Sequence, residues 1–577
     1  MAFTGVSHAL QDTSAESSPD AVRPAAGVVN GRGFFAALAA LAALAATLQV
    51  LSIRDETQTF DEDVHLAAGY SYWKTGDYRL NKEHPPLVKL LCAAPLLWMR
   101  PDLRLDDAWK QARQDDVAPV FLYANRIPAG RMLFAARTVS IAITLLLIAA
   151  VGLWTRALFG AVPGIFAALL VALDPNILAH GRYVTNDVPA ALAWLVSIAA
   201  WVRYLTRKRP LDLLWAGLAL GLALATKFST VLLLPAFAVI YAFRAWQEDG
   251  KPGGLSVDRF CASMLAACAL AGVVVLAVYG TPPWSYPRLE TEIAPELAAL
   301  RSLAAALRLP AHPFLAGLAD VALHNRLGHA TYLLGKVSLH GWWYYFPVAF
   351  AVKTPTAPLL LSLVALPAAA LRWRELRRAP LAPVRSDLAV LLYFAVSMGS
   401  GINLGIRHLL PVYPLLYVLL AGFVWRLRRA ALPVLLCVSL AQAAECARIH
   451  PYYLAFFNTP SGGPARGPEY LLDSNIDWGQ DLLRLKRYMD ARGVRQPCLM
   501  YFGRAGEARF FENPLPLPRG DVAVREQPNC LAAISATLLH DVYLKPGDFA
   551  WLRARKPVAR VGYSIYVYDL RRPSLQP

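Results

Sequence analysis

Residues 33–62 read GFFAALAALAALAATLQVLSIRDETQTFDE. The first part, 33–53, carries no charged residue. A helix of about 20 apolar residues crosses the hydrocarbon core of a bilayer. Behind it comes a short polar turn ending in Phe60, Asp61 and Glu62. The chain therefore leaves a membrane span and delivers two carboxylates to the membrane edge. The segment before it, MAFTGVSHALQDTSAESSPD, lacks a basic n-region, so the first span reads as a retained signal anchor. Residues 1–32 read as a disordered cytoplasmic tail.

The same reading extends over the chain. Apolar residues make up 56% of the 577 and charged residues 17%, too little charge for several soluble domains. Eleven apolar runs read as spans: 33–53, 134–153, 161–178, 184–202, 211–226, 229–245, 261–280, 354–372, 387–402, 409–425 and 431–447. Further buried helices are expected from 87–99 or 341–353. The fold class is a multi-pass α-helical membrane protein with about 11–13 transmembrane helices.

The net charge of +17 is not a nucleic-acid signal, because Lys and Arg cluster between apolar runs, as at 207–209, 372–378 and 426–429. With the N-terminus in the cytoplasm, the cytoplasmic segments hold 18 Lys and Arg and the short opposite loops hold three, Arg182, Lys227 and Arg407. The positive-inside rule then puts loops 54–133 and 281–340 and the tail from 448 outside. The expected location is the inner (plasma) membrane. The tail, 450–577, turns polar. It carries a helical pattern at 479–492 and strand-like runs at 497–502, 530–535 and 558–569, which together read as a small extracytoplasmic α/β domain. Cys498 and Cys530 both fall in it, in a compartment that permits disulfides, and their pairing is left open. The seven cysteines show no metal-ligand spacing.

Polar residues that a membrane does not explain come next. Asp61 and Glu62 precede a helical pattern that the Gly76-Asp77 pair ends. They can serve as a general base with its neighbour, or as a helix N-cap. In NKEHPPL, Pro85 and Pro86 fix an extended turn that holds Glu83 and His84 near the interface. Other outside loops bring Asp174, His180, Arg182, Asn186 and Asp187, then Lys227, then Arg407 and His408, with Lys353 in a further apolar run. Ionisable groups at membrane depth point to function, although Lys227 and Lys353 also fit snorkelling. Lys, Arg and His gathered at the outer leaflet suit a lipid-borne phosphate. In DSNIDWGQDL at 473–482, Asp473, Asn475, Asp477 and Trp478 can line a site entrance or touch a sugar through the indole, or serve as a cap and a packing indole.

Taken together, FDE at 60–62, GD at 76–77, KEHPPL at 82–87, TND at 185–187, IRHLLPVYP at 406–414 and DSNIDWGQDL at 473–482 resemble the GT-C glycosyltransferases that use a polyprenyl-phosphate-linked sugar. The resemblance covers residues 33–482 and is nearest to the family-39-like group, which includes protein O-mannosyltransferases and lipid A aminoarabinose transferases. It implies a GT-C transmembrane domain over 33–449. It implies that Asp61, with Glu62 beside it, acts at the acceptor. It implies that Arg407, with Lys227, His84, His408 and Lys353, holds the carrier phosphate, and that Asp187 is a further acidic position. His84 stands where the aminoarabinose transferases tend to have Lys. The implied partners are a polyprenyl-phosphate sugar and a protein, lipid or glycan acceptor, with inversion at C1. No P-loop or GxGxxG lies beside a strand, so no cofactor is expected, and a divalent-metal requirement is left open. The rival readings are a polysaccharide ligase or polymerase, and a non-enzymatic lipid-linked-sugar flippase.

Overall fold

The computed structural model describes residues 30–248, 256–280, 298–306, 312–371, 381–520, 522 and 528–571. Most of the expected tail 1–32 lies outside these residues, as do 281–297 and 307–311 of the loop 281–340 and 372–380 of the basic loop 372–386. Among the described residues, six helices are long and apolar enough to cross a membrane: Gly31–Asp55, Ala129–Phe159, Asp187–Arg207, Phe228–Glu248, Val257–Tyr279 and Arg428–Ile449. Five shorter apolar helices join them: Ala161–Ala172, Pro210–Leu224, Thr356–Ala368, Asp387–Met398 and Val412–Trp425. These eleven correspond to the eleven expected spans.

The far bound of one expected span, 161–178, is corrected. Its helix stops at Ala172, and the 12 residues rise only about 18 Å, well short of a hydrocarbon core. The break follows from Asp174-Pro175. Proline cannot continue a helix but starts one well. Asp174 caps the new helix Pro175–His180 by accepting from the Asn176 and Ile177 N–H groups, at 2.7 and 3.2 Å. The chain from Val171 to Ala190 is buried throughout. This loop therefore turns inside the bundle and carries its polar residues with it. Similarly, Pro95 splits the expected 87–99 helix into Leu87–Ala93 and Leu96–Met99. The 341–353 stretch gives Tyr345–Lys353.

Helix packing follows from small residues. Pro210–Leu224 meets Val257–Tyr279 through Gly217 and Gly221, where an added Cβ would lie 2.7 Å from the Leu270 Cβ and 2.6 Å from the Val274 Cβ. This is the close approach that a GxxxG spacing permits. Glu62–Thr75 meets Leu87–Ala93 at Gly69, where a Cβ would fall 2.1 Å from the Lys89 carbonyl oxygen. Gly76, at φ 67°, ends the first of these two helices as the Gly-Asp pair predicts.

Among the described residues, the C-terminal domain holds a five-stranded mixed sheet. We number the chain's strands β1 (Thr331–Leu333), β2 (Lys336–Ser338), β3 (Cys498–Met500), β4 (Leu515–Pro516), β5 (Leu531–Ser535), β6 (Ala559–Val561) and β7 (Ile565–Asp569). The order is β4-β3-β5-β7-β6, with β3 parallel to both neighbours and β7 antiparallel to both of its own. The run 558–569 is therefore two strands forming a hairpin. The helix Leu482–Asp490 lays Leu482, Leu485 and Met489 on the sheet with Leu499, Leu531 and Val567. Cys498 and Cys530 are disulfide-bonded. Strands β1 and β2 form a separate hairpin.

The domain is tied to the helical body by backbone. Thr57 N–H donates to the Gln480 carbonyl and Phe60 N–H to the Trp478 carbonyl, each at 2.9 Å. Residues 57–60 and 478–480 thus lie side by side. That contact fixes the start of the helix Glu62–Thr75.

Candidate active site

The helix Glu62–Thr75 opens with two carboxylates that point to different places. Glu62 is fully buried and accepts four hydrogen bonds. They come from Thr59 N–H at 2.8 Å, Val184 N–H at 3.0 Å, and the Arg137 Nε and Nη2 at 2.8 and 2.6 Å. Burial raises the Glu62 pKa, but the Arg137 guanidinium and these donors outweigh it and hold it below its usual value. Asp61 occupies the N-cap position without a side-chain cap bond. Its carboxylate, 27% exposed, instead meets Arg407, with Nη1 to Oδ2 at 3.2 Å.

Arg407 sits on the 3-10 turn Ile406–Leu409. Gly405 enters that turn at φ 127°, and the Asn475 Oδ1 accepts the Ile406 N–H at 3.0 Å. The guanidinium carbon lies 4.5 Å from the centre of the Trp478 ring, a cation–π contact. Its Nη1 is also 3.8 Å from Asp187. Asp187 pairs with Lys227 at 2.6 Å. It stands in the first turn of Asp187–Arg207, where the helix dipole favours an anion. Two carboxylates and two cations from four distant segments therefore form one chain, Asp61–Arg407–Asp187–Lys227. The buried Arg407 Nε and Asp187 Oδ2 have no hydrogen-bond partner among the described residues.

Histidines surround this chain. His65, one turn after Asp61, donates its Nδ1–H to the Val184 carbonyl at 2.8 Å. Its ring lies 5.5 Å from that of His84, edge to face. Lys89 holds the His84 turn from behind: its Nζ donates to the His84 and Asn81 carbonyls and to the Asn81 Oδ1, each at 2.7 Å. The His84 and His408 pKa values are driven well below the usual histidine range. Burial is the main cause for both. The neighbours His65 and Lys227 add to it at His84, and Lys227 and Arg407 at His408. Both rings are neutral at physiological pH, which leaves Arg407 and Lys227 as the cations that face the carboxylates. Glu83 is exposed and within electrostatic reach of Asp61.

Other sequence candidates lie elsewhere. Lys353 is buried and donates to the Leu454 and Asn475 carbonyls at 3.0 and 2.7 Å. Burial pushes its pKa far down. It clamps two loops and does not face Asp61. Arg182 is buried against Glu56 at 2.8 Å, and Arg484 of the C-terminal domain reaches the same carboxylate at 3.3 Å. Asp477 accepts the Thr537 N–H at 3.1 Å, and burial raises its pKa to about 8. Trp478 is only 2% exposed, so its indole packs beneath Arg407 and has no face left for a ligand.

The sequence reading named Asp473 but missed three residues beside the cluster: His65, Lys89 and Arg137. Of these, only His65 carried a signal, its i+4 spacing from Asp61. The reading also held that no D-x-D stands in the first loop, whereas Asp61-Glu62-Asp63 is one. In the fold its acids diverge, and Asp63 turns to Arg504, with Oδ2 to Nε at 3.1 Å.

Residues 117–280 match the family model described as dolichyl-phosphate-mannose-protein mannosyltransferase. Over 101 residues the chain is 33% identical to dolichyl-phosphate-mannose–protein mannosyltransferase 1 of Schizosaccharomyces pombe. That stretch is 16% of this chain and 11% of the yeast protein, so the match spans about a tenth of that relative. Among solved structures, ArnT from Cupriavidus metallidurans bound to undecaprenyl phosphate has a TM-score of 0.49 at 14% identity, over 94% of this chain and 100% of that one. The archaeal oligosaccharyltransferase AglB from Archaeoglobus fulgidus, with an inhibitory peptide and a dolichol-phosphate, has 0.47 at 12%, over 91% and 72%. The S. cerevisiae Pmt1–Pmt2 complex bound to the sugar donor has 0.31 at 18%, over 44% and 33%. The family model thus shares the mannosyltransferase resemblance read from the sequence, over the stretch that carries Arg137, Asp187 and Lys227.

Proposed function

We propose that this chain, with residues 117–280 matching a mannosyltransferase family model, is a membrane glycosyltransferase. It moves a sugar from a polyprenyl-phosphate carrier to an acceptor hydroxyl on the external face of the inner membrane. The observation that carries the reading is the Asp61–Arg407 contact at 3.2 Å, with Lys227 and Asp187 behind it. An acid and two cations meet at one end of the bundle, where a lipid-borne phosphate can reach them. The external placement rests on the charge bias of the loops, 18 against three.

The chemistry divides between these groups. Asp61 takes the proton of the acceptor hydroxyl as its oxygen attacks the sugar C1. The C1–O bond to the phosphate breaks, and the electron pair leaves with the phosphate oxygen. Arg407 and Lys227 neutralise that developing charge, which preformed cations do without reorganising. In the resting arrangement Asp61 and Arg407 occupy each other. A carrier phosphate competes for Arg407 and so releases Asp61 as the base. A single displacement inverts C1. Neutral His84 and His408 donate hydrogen bonds to the phosphate. Glu62 positions Asp61 through the helix start and takes no proton. A general base contributes roughly 10²–10⁴-fold.

The test is mass spectrometry of the purified protein in lipid with a panel of polyprenyl-phosphate sugars. The wild type should strip sugar from one of the carriers. Carrier binding without loss of sugar in any acceptor mixture would favour a transporter instead.

A further inference from the structure

Outside the cluster, one feature of the external mouth has no role in the chemistry above. Phe60 directly precedes Asp61. Its ring stacks on Phe502 of the C-terminal domain, with centroids 5.3 Å apart and planes 21° apart. Phe502 stacks in turn on Tyr543, at 5.3 Å and 9°. Three nearly parallel rings from separate segments form a row that begins beside Asp61. A centroid spacing of 5.3 Å exceeds the ~3.5 Å thickness of a ring, so the rings are offset and each leaves part of a face uncovered. Phe60 and Phe502 are partly exposed and Tyr543 is 37% exposed.

Polar groups fringe the row. The Tyr543 hydroxyl donates to the Asp473 Oδ2 at 2.5 Å. The His329 Nε2 lies 3.2 Å from the same hydroxyl, and its Nδ1 lies 3.1 Å from the His324 Nε2. His329 is within electrostatic reach of Asp473, Arg407 and Asp61. The helical body supplies Phe60, Asp61, His329 and Arg407, and the C-terminal domain supplies Phe502 and Tyr543. The row and its fringe therefore span the seam between the two parts and end at the proposed base.

We propose that this aromatic row is the acceptor site and that the acceptor is a sugar ring with a free hydroxyl. This rests on the transferase reading above. Offset aromatic faces suit the C–H faces of a pyranose, and carboxylate and imidazole edges suit its hydroxyls. The Arg504 guanidinium lies 5.6 Å from the centre of the Phe60 ring and Arg407 pairs with Asp61, so the mouth carries both signs of charge. The acceptor oxygen bonds to the donor C1, its proton passes to Asp61, and the carrier phosphate departs with the C1–O electron pair.

Saturation-transfer NMR on the full-length protein in lipid nanodiscs tests this without any donor present. The probes are neutral disaccharides (maltose, lactose and chitobiose), a diglucosyl diacylglycerol in the bilayer, and a Ser-containing hexapeptide. Saccharide signals should appear with the wild type and weaken at least about tenfold in Phe502→Leu, which keeps apolar bulk. Tyr543→Phe, which loses only the hydroxyl bond, should weaken them less. Unfolding midpoints equal to wild type exclude a folding defect. If only the glycolipid binds, the sugar is lipid-borne; if the disaccharides bind, it is a soluble glycan. Either result supports the site. Binding of the peptide alone, binding of no probe, or equal binding by Phe502→Leu overturns it. Asp61→Asn should still bind the saccharide. Failure of the wild type to consume any carrier-linked sugar would count against the transferase reading separately.

Discussion

A carboxylate with every acceptor position taken cannot receive a proton, and this separates Glu62 from Asp61. Glu62 fills its roughly four lone-pair sites with Thr59, Val184 and Arg137. Removing its charge leaves the Arg137 guanidinium buried and unpaired, which typically costs about 3–5 kcal/mol. Glu62→Gln should therefore lower the unfolding midpoint clearly in a thermal melt of the purified protein. Asp61→Asn should shift that midpoint much less, because Asp61 caps nothing and is partly exposed, and Arg407 keeps Asp187 at 3.8 Å. The histidines give a second expectation at this scale. The His84 and His408 pKa values lie below the ordinary 6.5, so both gain protons only at lower pH. Carrier-phosphate binding should be flat as pH rises through 6.5. A loss of binding centred there would mean that a charged histidine is needed. The sequence marked Asp61 and Glu62 together but had no means of dividing their roles. The division depends on Arg137, 75 residues away, and on the helical phase that turns Glu62 inward.

The elements that carry the site are short and irregular. Arg407 rides on a 3-10 turn, and Asp187 and Lys227 stand at helix ends. Gly405 sets the first of these. Its φ of 127° is open to glycine alone among common residues, and a Cβ there would lie 2.9 Å from the Ser474 Oγ. Gly405→Ala should shift Arg407 off Trp478 and weaken carrier-phosphate binding by about tenfold, equivalent to ~1.4 kcal/mol. Titration of nanodisc-bound protein with undecaprenyl phosphate measures this, and unchanged affinity would remove the turn from the account. The long apolar helices were legible in the sequence, because composition alone defines a span. The stop at Ala172 was less so, because Asp174-Pro175 sits inside an apolar run whose length suggested a crossing. The hairpin inside 558–569 was read as one run, since its turn at Gly562 is a single glycine between strand-like residues.

Across the whole molecule, the C-terminal domain completes the mouth of the site. Backbone bonds from Thr57 and Phe60 to Gln480 and Trp478, and the Arg484–Glu56 pair at 3.3 Å, fasten it to the helical body. The Cys498–Cys530 disulfide closes a separation of 32 residues within it. Replacing both cysteines with alanine should destabilise the domain by ~2–4 kcal/mol. Amide hydrogen exchange should then show β3 and β5 opening before the membrane helices. Simultaneous exchange throughout would mean that domain and bundle unfold as one unit. The existence of this domain was legible from the change in composition after 450. Its docking was not, because the contacts join residues more than 400 positions apart.

The central claim is that Asp61 is the base and Arg407 the phosphate ligand of one transfer. The most direct measurement follows sugar loss from a polyprenyl-phosphate donor by mass spectrometry. The wild type, Asp61→Asn and Arg407→Ala are run side by side in nanodiscs, with undecaprenyl phosphate binding measured on each. The account predicts turnover by the wild type alone. It predicts that Asp61→Asn keeps carrier binding while turnover falls by roughly 10²–10⁴-fold, and that Arg407→Ala loses the binding itself. Full turnover by Asp61→Asn, or undiminished carrier binding by Arg407→Ala, would contradict it.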